Sequence, residues 1–154
     1  MKYKSYYLLC LALVILDQLT KQIVVSLFNL GESIVINSYL SWTYIQNTGA
    51  AFSILSGGGA IQKAFLLAVS LFVSAMVMVW IHKTPAIHRQ SLFGQFILLS
   101  GALGNLLDRA QYGYVVDFID VHYQNYYWPV FNVADSLIFI GVILLIFERR
   151  QPSF

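Results

Sequence analysis

Two aspartates stand out in a chain that has few charged residues. Asp135, in Asn132-Val133-Ala134-Asp135-Ser136, opens an apolar run that continues to residue 147. A carboxylate inside a membrane-spanning stretch costs roughly 2.5–3.5 kcal/mol at a helix centre and less toward its ends, so it needs a partner or a task. Asp117, in Gly113-Tyr114-Val115-Val116-Asp117-Phe118, lies in the preceding loop and can fold back as that partner. Neighbouring carboxylates resist double ionisation and tend to share one proton. The charged member can deprotonate a water while the protonated member polarises a carbonyl, and the roles reverse as a leaving amine takes a proton. That is aspartyl-protease chemistry, which requires neither a metal nor a covalent intermediate.

Other polar residues gather near the same pair. Phe131-Asn132 after Pro129 reads as a helix start, with Asn132 as N-cap and Asp135 at the third helical position, a variant of the capping box. Capping alone would account for Asp135, but it says nothing of Asp117. Asp17 and Lys21 are one turn apart and can pair on one helix face as a structural tether. Asn105, Asp108 and Arg109 end a helix at the same side, with Arg109 suited to a headgroup, a carbonyl or a lipid phosphate. Asn47 precedes the turn-like Thr48-Gly49-Ala50-Ala51-Phe52, which can offer hydrogen bonds to a substrate backbone. Asp117, Asp120 and His122 can be written as a metal-ligand set, but no second histidine or cysteine lies near them, and no metal or other cofactor is expected. Serine and cysteine nucleophile schemes lack a suitably placed histidine.

The elements that must position these groups are membrane helices. The chain has 154 residues, of which 58% are apolar and 10% charged, and its net charge of +2 comes with no basic stripe that would suit nucleic acid. Apolar segments cover 7–28, 64–81, 92–107 and 131–147. Six of the nine basic residues (Lys2, Lys4, Lys83, Arg89, Arg149 and Arg150) fall on one side if these four alternate across a bilayer. The positive-inside rule then puts both termini in the cytoplasm and the loops 29–63 and 108–130 outside. The basic, apolar beginning resembles a signal peptide but lacks a clear cleavage site, and reads as a retained first helix. Ile34, Val35 and Ile36, then Trp42, Thr43, Tyr44 and Ile45, give the first outer loop strand-like composition. Since bare strand edges cannot sit in lipid, this small sheet belongs at the outer surface, where it can cradle an extended peptide. Small residues in Ser100-Gly101-Ala102-Leu103-Gly104 suit close helix packing. Cys10, the single cysteine, reads as a small buried residue. The expected architecture is an all-α integral membrane protein with four transmembrane helices, a small extracytoplasmic β-cradle and a single domain over 1–154.

Five motifs in order resemble the bacterial lipoprotein signal peptidases, or signal peptidase II family. They are Asp17-Gln18-Leu19-Thr20-Lys21, Asn47-Thr48-Gly49-Ala50-Ala51-Phe52, Gly104-Asn105-Leu106-Leu107-Asp108-Arg109, Val115-Val116-Asp117-Phe118 and Phe131-Asn132-Val133-Ala134-Asp135-Ser136. The resemblance implies an aspartyl endopeptidase of the bacterial inner membrane, with Asp117 and Asp135 as its catalytic dyad. It implies that Asn47, Gly49, Asn105, Asp108, Arg109 and Asn132, with Asp17 and Lys21, line or brace the site. The substrate would be a prolipoprotein whose cysteine already carries diacylglycerol, cut just before that cysteine. Membrane lipids would surround the enzyme, and peptide antibiotics of the globomycin type would inhibit it. Two other classes compete: a small proton or ion translocator with an aspartate relay, and a noncatalytic scaffold in which the aspartates only cap and pair. A relay calls for polar residues through the full thickness of several helices, whereas the second segment and most of the fourth are apolar.

Overall fold

A computed structural model describes residues 3–49 and 59–148 of the protein. Among these residues the elements run α1 (Lys4–Leu27), β1 (Ser33–Asn37), β2 (Leu40–Asn47), α2 (Ala60–Lys83), α3 (Arg89–Gln111), β3 (Val115–Tyr123), β4 (Tyr126–Tyr127) and α4 (Val133–Ile146). Lys2, Arg149 and Arg150, and Ala50 to Phe52 of the second motif, lie outside the described residues.

Length and composition make two of the four helices, α1 and α2, candidate membrane spans, each of 24 residues. At about 1.5 Å per residue each covers roughly 36 Å, enough for a hydrocarbon core of about 30 Å. α3 is 23 residues long but carries Ser91, Gln95, Ser100, Asn105 and Asp108 on buried positions. It packs against α1, α2 and α4, so its polar side chains face protein. α4 has only 14 residues and rises about 21 Å. Its beginning meets α1 at Asp17, ten positions short of the end of α1 and so about 15 Å below that end. Strand backbone fills the height that α4 leaves.

That backbone is a four-stranded antiparallel sheet in the order β1-β2-β3-β4. The strand-like stretch within 29–63 forms β1 and β2. The segment 108–130, which the sequence marks only as a loop, supplies β3 and β4. The apolar–polar alternation of Ile119-Asp120-Val121-His122-Tyr123, after the β-branched Val115 and Val116, was the signal for a strand. Ile45 pairs with Asp117 and Asn47 with Val115 across β2 and β3. On the far side of β3, Ile119 bridges to Phe131, the residue immediately before the N-cap of α4.

Two hydrophobic clusters bracket a polar layer. Cys10, Val77, Ile81, Leu92, Phe96 and Leu99 join α1, α2 and α3 near the beginning of α1. Val24, Phe28, Tyr44, Val116 and Phe118 join the end of α1 to the sheet. The backbones of α3 and α4 approach closely between them. A Cβ on Gly101 would collide with the Ala134 carbonyl oxygen and lie 2.8 Å from Ile138 Cγ1. One on Gly104 would lie 2.5 Å from Asp17 Oδ2. Gly101→Val is therefore expected to lower stability by about 1–3 kcal/mol through overpacking, read as a fall in the thermal midpoint of the purified protein in detergent.

Candidate active site

The polar layer is built around one ammonium. Lys21 Nζ lies 2.9 Å from Asp17 Oδ2 and 3.0 Å from Asp108 Oδ2, and all three side chains are almost fully buried. The same two carboxylates hold other segments in place. Asp17 Oδ1 accepts the Ala134 amide at 2.8 Å, capping the start of α4 from α1. Asp108 Oδ2 accepts the Val116 amide at 3.0 Å, fixing the start of β3. Gln18 Nε2 donates to Asp108 Oδ1 at 2.9 Å, to Asp17 Oδ2 at 3.1 Å and to the Gly104 carbonyl at 3.2 Å. Sequence alone gives Gln18 no role. A polar side chain beside Asp17 in an apolar helix was the available clue.

Three asparagines carry this order to the two aspartates. Asn105 Oδ1 accepts from Lys21 Nζ at 3.1 Å and from Asn132 Nδ2 at 3.2 Å, so its own amide nitrogen faces Asp135 and donates to Oδ1 at 2.7 Å. Asn132 Oδ1 accepts the Asp135 amide at 2.9 Å, which turns Nδ2 toward Asp117 Oδ1 at 2.6 Å. Asn47 Oδ1 accepts the Gly49 amide at 2.9 Å, which turns its Nδ2 toward Asp117 Oδ2 at 2.9 Å. In each case donors occupy the amide oxygen, so the NH2 group is left to meet a carboxylate. The capping box is complete, with the Asn132 amide donating to Asp135 Oδ2 at 3.3 Å. Asp117 and Asp135 are thereby joined through two asparagine side chains that also bond to each other.

The two carboxyls differ in surroundings. Asp117 is 2% exposed. Burial pushes its carboxyl up to about 6; the Asn47 amide opposes the rise, the Asp135 charge adds to it, and the Asn132 amide and Lys21 oppose it. Asp135 is only partly buried and forms one wall of an apolar groove of about 440 Å³, with Trp128, Phe131, Ser136, Phe139 and Ile140. Arg109, in the last turn of α3, stands in the fields of Asp135, Asp108 and Asp117, and its Nη1 reaches the Asn105 carbonyl at 3.5 Å. Among the described residues it makes no ion pair.

Asp120 and His122 do not join this site. They lie an odd number of residues from Asp117 and so project from the opposite face of β3. There Thr43 Oγ1 donates to Asp120 Oδ2 at 2.9 Å, and His122 Nε2 lies 3.1 Å from Ser41 Oγ. No group of three or more metal-ligating side chains occurs among the described residues.

A helical protein with apolar spans, a small sheet and two cross-linked carboxyls in a sheltered polar layer has the build of a membrane enzyme. Its fold matches two solved bacterial membrane enzymes. One has a TM-score of 0.85 at 34% identity, covering 97% of this chain and 95% of the other; the second has 0.81 at 32%, covering 98% and 95%. The sequence model for signal peptidase (SPase) II matches residues 9–149, and this chain belongs to that family. Proteins named lipoprotein signal peptidase are similar along most of its length. That of Pseudoalteromonas translucida is 44% identical over 140 residues, 91% of this chain and 84% of the relative. That of Alteromonas mediterranea is 42% identical over 134 residues, 87% and 74%.

Two stability tests follow from this geometry. Lys21→Met leaves Asp17 and Asp108 buried without their cation and is expected to cost about 3–5 kcal/mol. Adding Asp17→Asn should recover part of that loss in thermal unfolding. The second test concerns Asp117, which holds its proton more tightly folded than unfolded. Its contribution to stability is therefore full below pH 3.8 and is lost as pH rises through about 6. The span corresponds to about 3 kcal/mol. The stability of wild type relative to Asp117→Asn should fall over that interval and level off above it.

Proposed function

We propose that this protein is an intramembrane aspartyl endopeptidase that removes signal peptides from diacylglyceryl-modified prolipoproteins, cutting just before the lipidated cysteine. The observation that carries this reading is the joining of Asp117 and Asp135 through Asn132 and Asn105 in a chain of the signal peptidase II family. Four carboxyls (Asp17, Asp108, Asp117 and Asp135) stand there against two cations, Lys21 and Arg109, which favours a proton shared by the last pair. We assign that proton to Asp117, whose burial raises its proton affinity. Asp135 takes a proton from water as the water oxygen attacks the scissile carbonyl, and the Asp117 proton stabilises the developing oxyanion. The tetrahedral intermediate collapses as Asp135 passes that proton to the amine of the lipidated cysteine and the C–N bond breaks, which leaves Asp117 protonated and Asp135 charged as at the start. Asn47, Asn105 and Asn132 hold the dyad, while Asp17, Lys21 and Asp108 brace it. Gly49 shapes the turn after Asn47, and Arg109 faces substrate.

In the membrane, the proposed arrangement has all four helices crossing, both termini in the cytoplasm and the dyad toward the outer face of the inner membrane. The sheet lies at that face and cradles the extended peptide. Acyl chains stay in the surrounding lipid. Globomycin-type peptides would compete for the same cleft.

Purified protein in detergent is expected to cut a diacylglyceryl-modified prolipoprotein directly before the modified cysteine, with EDTA present and as read by mass spectrometry. The unmodified precursor should remain intact. Asp117→Asn and Asp135→Asn should each abolish cleavage while still inserting into membranes. Turnover retained by either variant would overturn the dyad. Absence of cleavage together with proton flux in liposomes that Asp135→Asn removes would identify a translocator instead.

A further inference from the structure

We propose that Gln62 is a positioning residue of this site: acting through the single peptide group between Thr48 and Gly49, it sets the orientation of the Asn47 amide against Asp117. Gln62 lies in the first turn of α2, is 8% exposed, and is one of few polar side chains in an otherwise lipid-compatible helix. Its Nε2 donates across to the Thr48 carbonyl at 2.9 Å. The N–H of that same peptide group belongs to Gly49 and donates to Asn47 Oδ1 at 2.9 Å. Asn47 Nδ2 then donates to Asp117 Oδ2 at 2.9 Å. Because a peptide group is planar, fixing its carbonyl fixes the direction of its N–H, and a chain of such bonds polarises each member.

A second contact from α2 supports the same turn. Leu66, one helical turn beyond Gln62, packs on Gly49 so closely that a Cβ there would lie 2.6 Å from Leu66 Cδ1. Gly49 also has a φ of +76°, which disfavours any side chain. Gln62 thus holds the carbonyl side of the turn and Leu66 its Cα. Without the Gln62 bond the peptide group can rotate away, and Asn47 loses the donor that keeps its oxygen turned from Asp117. The amide that favours the ionised form of Asp117 is then weakened or reversed, and Asp117 gains proton affinity. The charged groups facing Asp117 from the neighbouring helices are Asp135, Lys21 and Arg109, and the change at Gln62 touches none of them.

The bearing of this device on catalysis rests on the protease reading, but its test does not. The full chain, carrying 13C-labelled aspartate in detergent, is titrated by NMR, with the Asp117 carboxyl signal assigned by its loss in Asp117→Asn. Gln62→Met is expected to raise the Asp117 midpoint by roughly 0.5–1 pH unit. Asn47→Ala should raise it at least as far, and the double variant no further than Asn47→Ala alone. Gln62→Asn keeps the amide but shortens its reach, should give the same shift, and serves if the methionine variant does not fold. With cleavage as readout, the alkaline limb of kcat/KM should move up by the same amount. A folded Gln62 variant with an unmoved midpoint, or a shift that persists in the Asn47→Ala background, would overturn the proposal. Failure of wild type to cleave would count against the protease reading and leave the titration result standing.

Discussion

The Lys21 ammonium, buried between the carboxylates of Asp17 and Asp108, is the contact on which the rest of the molecule depends. Bringing three charges out of water is costly, and only their mutual attraction and further hydrogen bonds offset it. Those further bonds extend the contact beyond a local pair. Asp17 caps α4, Asp108 anchors β3, and Lys21 itself orients Asn105. One charge cluster therefore sets the positions of the separate segments that carry Asp117 and Asp135.

Buried charges of this kind need enclosure and pairing by protein. Polar groups at membrane depth must be satisfied by protein, and non-helical backbone there must be covered. α3, the most polar helix, is packed by the other three, while α2 turns mostly apolar side chains outward. β3 pairs through Ile119 with Phe131, immediately before the N-cap of α4. The hydrophobic clusters on either side of the polar layer do the remaining packing, so the layer is confined to one level of the bundle.

Within that level the two carboxyls are made unequal. Each accepts hydrogen bonds on both oxygens, but Asp117 is enclosed, whereas Asp135 borders an apolar groove beside α4. Unequal surroundings separate the proton affinities of a pair of carboxyls, and the proposed acid–base roles of Asp117 and Asp135 rest on that difference. The groove places apolar side chains of Trp128, Phe131, Phe139 and Ile140 beside Asp135.

Much of this was legible in the residues themselves. Apolar blocks marked the helices, β-branched runs marked β1 and β2, and Asp17 with Lys21 announced a pair by their spacing. Asn132 and Asp135 declared a capped helix start, because such local bonds depend only on residues three or four apart. The partner of Asp117 was not local. Its position follows from β3 pairing with β2 on one edge and with Phe131 on the other, and strand pairing joins residues that no spacing rule connects. Asp120 and His122 stand beside Asp117 in the sequence, and only the pleat places them on the opposite face of β3. Gln18 and Gln62 remained silent for the same reason. A glutamine in an apolar helix shows that a bond must be made, but only the packed chain decides which distant carbonyl or carboxylate receives it.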